Sequence, residues 1–174
     1  MIIKNVLVFS ENKEFHEGTI MIENEVFSES TSDETVIDGQ GCYAIPGLVD
    51  IHFHGCKGAD FCDGSVEAIQ TIAEYEASQG ITTIVPATMT LSEEDLMKIM
   101  NAAFAYSSQK GRKGASLSGI NMEGPFISTA KKGAQAADHI RKPDAELFRR
   151  LQSASGGLIK LCDIAPEEDG AMEF

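Results

Sequence analysis

Hydrophobic and polar positions fall into two patterns along the chain, and the pattern changes near Pro46. Before it, apolar residues come in short runs separated by polar clusters. Residues Ile2 to Phe9 predict a strand, followed by a polar stretch from Ser10 to Glu14. Gly18 to Glu23 predicts a second strand, Glu25 to Phe27 a short third, and Thr35 to Asp38 a fourth ahead of Gly39-Gln40-Gly41. Such short, closely spaced strands predict a small antiparallel sheet. It holds few large apolar residues, so it needs a partner to bury its face.

From Pro46 onward, strand and helix patterns alternate. Pro46-Gly-Leu-Val-Asp-Ile-His-Phe-His54 reads as a turn running into a strand, and Lys57 to Gly64 as a loop. Ser65 to Gln79 predicts a helix, with Val66, Ile69, Ala73 and Ala77 at three- and four-residue spacings and Gly80 as its cap. Ile81 to Val85 predicts the next strand. Ser92 and Asp95 form a capping pattern for a helix to about Ser107 that buries Leu96, Ile99, Met100 and Ala103. Leu117 to Met122 predicts a third strand, cut off by Glu123-Gly124-Pro125, and a long loop runs from Phe126 to Lys142. Pro143 is expected in the first turn of a third helix with Leu147, Phe148 and Leu151 inward. Leu158 to Ile164 completes a fourth strand after Gly156-Gly157.

Alternation of this kind implies right-handed crossovers and a parallel sheet. A closed eight-stranded barrel needs at least ~200 residues. The expected fold is therefore α/β: residues 45–174 as about the first four strands of a (β/α)8 TIM-type barrel, with residues 1–44 as a separate sheet subdomain. The first and fourth strands of such a half barrel would carry unpaired edges and promote association.

Composition narrows the partners. Of the 174 residues, 43% are hydrophobic and the formal net charge is −13. The hydrophobic fraction supports a packed core, and the charge argues against nucleic acid or an anionic membrane as a partner. A small anionic substrate stays compatible, since a local site can be positive on an acidic protein. No apolar run reaches the ~20 residues of a membrane span, and the N-terminus has no signal-peptide pattern, so a cytoplasmic location is expected. Cys42, Cys56, Cys62 and Cys162 fit reduced thiols there, and none forms a Cys-x-x-Cys pair. Cys56 and Cys62 read as small packing residues, His16 as a solvent-exposed histidine, and Lys110 to Gly114 as a solvated basic turn.

Candidate chemistry gathers at the predicted C-terminal ends of strands, where βα barrels carry their reactive residues. On a strand, side chains two apart share a face, so His52 and His54 point the same way. Two such imidazoles can converge on one metal ion, or can be hydrogen-bonded histidines of a buried strand; the spacing alone fits both. Glu123 ends the third strand and either joins them as a carboxylate ligand or braces a loop. Gly-Pro after it restricts its direction.

The strand from Pro46 to His54 resembles the first-strand signature of the amidohydrolase superfamily of metal-dependent hydrolases. Met122-Glu-Gly-Pro-Phe-Ile127, Lys132-Gly-Ala-Gln135, Arg141-Lys-Pro-Asp144 and Ile164-Ala-Pro-Glu167 resemble the N-acetylglucosamine-6-phosphate deacetylase family within it. The resemblance implies that residues 1–44 are part of a small β-sandwich. It implies deacetylation of N-acetylglucosamine 6-phosphate to glucosamine 6-phosphate and acetate, in amino-sugar catabolism, with one or two divalent metals, zinc or iron. By position, Glu123 matches the principal metal ligand, His52 and His54 an optional second metal subsite, and Ala134 and Gln135 the pair that contacts the sugar. The family's catalytic Asp and two further histidine ligands sit on later strands, beyond Phe174. The 174 residues alone are therefore expected to lack deacetylase activity, and a homodimer is implied for the full-length protein. Two other readings are an amidohydrolase acting on a cyclic amide and a non-catalytic fragment.

Overall fold

The computed structural model describes all 174 residues, which form two compact units, Met1–Pro46 and Gly47–Phe174. In the first unit, β1 (Ile2–Phe9) pairs antiparallel with β2 (Phe15–Glu23), which pairs antiparallel with β3 (Val26–Phe27). The remaining strands, β4 (Val36–Asp38) and β5 (Tyr43–Ala44), run parallel to β1. This departs from the all-antiparallel expectation. The stretch from Ser28 to Thr35 is long enough to carry the chain back before it re-enters the sheet, which a tight hairpin cannot do. Val6 is buried, whereas Phe9, Phe15, Phe27, Ile37 and Tyr43 stay exposed. His16 is exposed, as expected.

The second unit alternates strand and helix. After β6 (Leu48–Asp50) comes a small hairpin of β7 (Gly55–Cys56) and β8 (Ala59–Asp60). Helix α1 (Val66–Ser78) starts at Ser65, whose side chain accepts from the Ala68 N–H. It leads into β9 (Ile81–Ile84) and then α2 (Glu93–Ser107), capped by Ser92 accepting from the Asp95 N–H. The third predicted strand is two short pieces, β10 (Ser116–Leu117) and β11 (Ile120–Met122). Helix α3 (Ala145–Ala154) precedes β12 (Ile159–Cys162). Its cap is Asp144, which accepts from two backbone N–H groups, so Pro143 lies just ahead of the cap rather than in the first turn. An Asp side chain satisfies donors that a proline ring cannot.

Parallel pairing runs β6–β9–β10 and, separately, β11–β12. The two sets meet where Ala87 bridges Asn121 in parallel, with Thr88 N–H donating to Asn121 O and Asn121 N–H to Pro86 O. All these strands therefore point the same way, and the residues after β6, β9, β11 and β12 emerge at one edge. Beneath them lies a single core of Ile69 and Ile72 from α1, Leu96, Ile99 and Met100 from α2, Leu147 and Leu151 from α3, and Ile84, Ile120 and Met122 from the strands. The apolar spacings of the three helices face this core, except that Ala77, in the last turn of α1, is exposed. β6 is hydrogen-bonded only to β9 and β12 only to β11. Leu48, Val49 and Ile51 are exposed. No helix is long and apolar enough to cross a membrane.

Candidate metal centre

Regular pairing of the first strand ends at Asp50, so His52 and His54 stand on an extended segment just past it. That segment is still held to its neighbour: Val85 N–H donates to Asp50 O and Ala87 N–H to Phe53 O. Asp50 also turns its carboxylate back to accept from the His52 N–H at 3.0 Å. The alternation survives, and both imidazoles point to the same side. Their ring centroids are 5.6 Å apart and their planes nearly perpendicular, at 87°.

Glu123 follows β11 directly and meets them. Its Oε2 lies 3.1 Å from His52 Nε2 and 3.2 Å from His54 Nε2. Oε2 is buried without a hydrogen-bond partner of good geometry, so the two ring nitrogens are set around a shared point beside it. The three donor atoms all fall within 4.8 Å of one another. Ligand bonds of about 2.0–2.1 Å at tetrahedral angles would put donor atoms roughly 3.3 Å apart, and at right angles roughly 2.9 Å. The two carboxylate–imidazole separations lie between, and two imidazoles with one carboxylate are a donor set suited to zinc or iron. The residues fit a divalent metal. The side chains of His52, His54 and Glu123 are 47%, 35% and 24% exposed, which leaves the cluster open on one side.

The second layer is built from buried amides and carbonyls. His54 Nδ1 lies 3.2 Å from Ala87 O. Since a carbonyl only accepts, Nδ1 carries the proton and Nε2 is free to ligate. Gln135 donates from Nε2 to Glu123 Oε1 at 2.8 Å and accepts at Oε1 from the Thr90 N–H at 2.7 Å. The Thr90 N–H fixes which end of that amide is oxygen. Glu123 is thereby left with one free oxygen facing the histidines. The other Gln135 N–H contact is the thioether of Met89 at 3.6 Å, a weak acceptor. Gly124, with φ of 78°, makes the tight turn after Glu123, and a Cβ there would sit 2.0 Å from Thr90 Oγ1.

Sequence reasoning singled out His52, His54, Glu123 and Gln135, and all four lie in this cluster. Ala134 is exposed next to the buried Gln135. Lys132 donates to Gln135 O at 2.9 Å, which holds the loop in place. Three residues were missed. Thr90 gave no motif, because it acts through its backbone. Asn121 is buried with its Nδ2 3.1 Å from His52 Nδ1; its position two before Glu123 on a strand was the available signal. Asp163 is the third. The register pairs Met122 with Cys162, so Asp163 follows β12 just as Glu123 follows β11. Burial, and then the neighbouring Glu123 charge, raise its carboxyl above the ordinary range, while His52 opposes them. Cys62 lies outside this cluster, and burial followed by Asp60 pushes its thiol up to about 12.

No family model matches the chain. It is 31% identical over 183 aligned residues to N-acetylglucosamine-6-phosphate deacetylase of Bacillus subtilis, a match that takes in 100% of this chain and 46% of that protein. A solved structure of N-acetylglucosamine-6-phosphate deacetylase from Thermotoga maritima superimposes with a TM-score of 0.81 at 29% identity, over 99% of this chain and 44% of the other. A mutant of the Mycobacterium smegmatis deacetylase, solved in complex with N-acetyl-D-glucosamine-6-phosphate, gives 0.84 at 25% identity over 99% and 45%. The chain spans a little under half the length of the relatives it matches. Along its whole length, this chain is a homologue of part of the N-acetylglucosamine-6-phosphate deacetylases.

Proposed function

We propose that this chain carries the metal-ligating side of an amidohydrolase that removes the acetyl group from N-acetylglucosamine 6-phosphate, on a partial (β/α)8 barrel preceded by part of a β-sandwich. The convergence of His52, His54 and Glu123 on one point is the observation that carries the reading. A divalent cation held there supplies Lewis acidity, which makes water a usable nucleophile near neutral pH and polarises an amide carbonyl. His54 and Glu123 offer it ready lone pairs, and Gln135 keeps the Glu123 carboxylate aimed. The general base is assigned by resemblance to an Asp outside residues 1–174, and the reaction itself to the full-length enzyme, a dimer.

Substrate contact is assigned to Ala134 and Gln135. Gln135 has one N–H committed to Glu123 and the other resting on the Met89 sulfur. An acetamido or hydroxyl oxygen is a better acceptor than a thioether and would take over that second N–H at little cost. The test is heteronuclear NMR of the zinc-loaded chain titrated with N-acetylglucosamine 6-phosphate. The Ala134 and Gln135 backbone amides and the Gln135 side-chain amide should shift, and a cyclic amide at equal concentration should leave them in place. The reverse pattern, or no response to the sugar phosphate, refutes the substrate assignment.

A further inference from the structure

The two histidines of the cluster are wired oppositely, and the difference traces to Asn121. His54 rests Nδ1 on the Ala87 carbonyl, so its proton is on Nδ1. His52 rests Nδ1 on Asn121 Nδ2 at 3.1 Å. An amide nitrogen only donates, so His52 Nδ1 must accept and the ring proton is on Nε2. The amide orientation is fixed by its other contact, Nδ2 donating to Ile51 O at 3.3 Å. Turned over, the amide would set its oxygen against that carbonyl and leave its NH2 group where Oδ1 now lies, at a buried point with no partner. Asn121 is 4% exposed, so water does not offer an easy replacement.

We infer that Asn121 is a positioning residue that holds His52 in the Nε2–H tautomer, so that His54 and Glu123 are the committed ligands and His52 a conditional one. For His52 to ligate through Nε2, the ring proton has to move to Nδ1, and Nδ1–H then needs an acceptor. In its present orientation Asn121 offers none. A carboxylate at position 121 would offer one, completing the carboxylate–histidine–metal arrangement that raises ligand basicity. This inference rests on the proposed metal site for its consequence, but the tautomer itself is a property of the metal-free protein.

Long-range 15N–1H NMR of the metal-free 174-residue chain in mildly alkaline buffer reads the tautomers directly. His52 should show Nε2–H and His54 Nδ1–H. Asn121→Asp should reverse His52 to Nδ1–H and tighten zinc binding by about tenfold or more, the scale on which outer partners act. His52 found as Nδ1–H in the unsubstituted protein overturns the inference, whether or not the variant folds. So does a folded Asn121→Asp protein that binds zinc no tighter. If zinc fails to bind while His52 is Nε2–H, the metal reading falls and the tautomer assignment stands.

Discussion

Gln135→Leu removes one side chain and disconnects two groups, and its effects can be separated. Leucine is close to glutamine in size, so the buried space stays filled. The Thr90 N–H loses the acceptor it reaches at 2.7 Å. A buried donor left unsatisfied costs about 1–3 kcal/mol of stability. Glu123 Oε1 loses the donor at 2.8 Å that keeps the carboxylate turned. Removing such an outer partner lowers metal affinity by about 10- to 100-fold, or roughly 1.4–2.8 kcal/mol. Isothermal titration with zinc measures the second effect and the urea midpoint the first. Both should move, in those ranges. If zinc affinity stays within about twofold while the urea midpoint falls, Gln135 braces only the Thr90 loop and its role at Glu123 is refuted.

Two other perturbations test the surroundings of the cluster. Gly124→Ala puts a side chain on a left-handed residue and drives its Cβ toward Thr90 Oγ1; backbone strain of about 1–2 kcal/mol and overpacking of about 1–3 kcal/mol should lower the urea midpoint together with zinc affinity, and an unchanged protein would show that the turn yields. Cys62, raised from an ordinary value of 9.0 to about 12 by burial and then by Asp60, should resist iodoacetamide at pH 8.5 while exposed Cys42 is alkylated. Because its folded-state value is the higher one, its contribution is intact below about pH 9 and is lost as pH climbs toward 12. Rapid alkylation of Cys62 in the folded protein, followed by mass spectrometry, would contradict this.

The parts of the molecule that were legible in the sequence are those where one residue type does one job locally. Ser65 and Ser92 announced helix starts, and both cap them in the structure. The His-x-His spacing required only strand alternation to bring two imidazoles together. The Asp144 cap was hidden by the adjacent Pro143, because both signals mark a helix start within one residue of each other. Parallel placement of β4 and β5 beside β1 depends on how a long connection returns, which no local pattern encodes. The second layer was the least legible. Gln135 lies 12 residues from Glu123 and 45 from Thr90, and its amide bridges them only once the loop is folded back. Asn121 looked like one polar residue in a strand that is otherwise apolar. Its meaning depends on His52, which is 69 residues away.

Zinc titration of the 174-residue chain and of Glu123→Ala, followed by calorimetry and by loss of the His54 Nε2 resonance position in NMR, tests whether Glu123 and His54 together hold the metal. Binding should be saturable, should shift His54, and should weaken in the variant by more than the about 10- to 100-fold that loss of an outer partner costs, since a ligand itself is gone. Equal zinc affinity in the two proteins, or binding that leaves His54 unshifted, would contradict this.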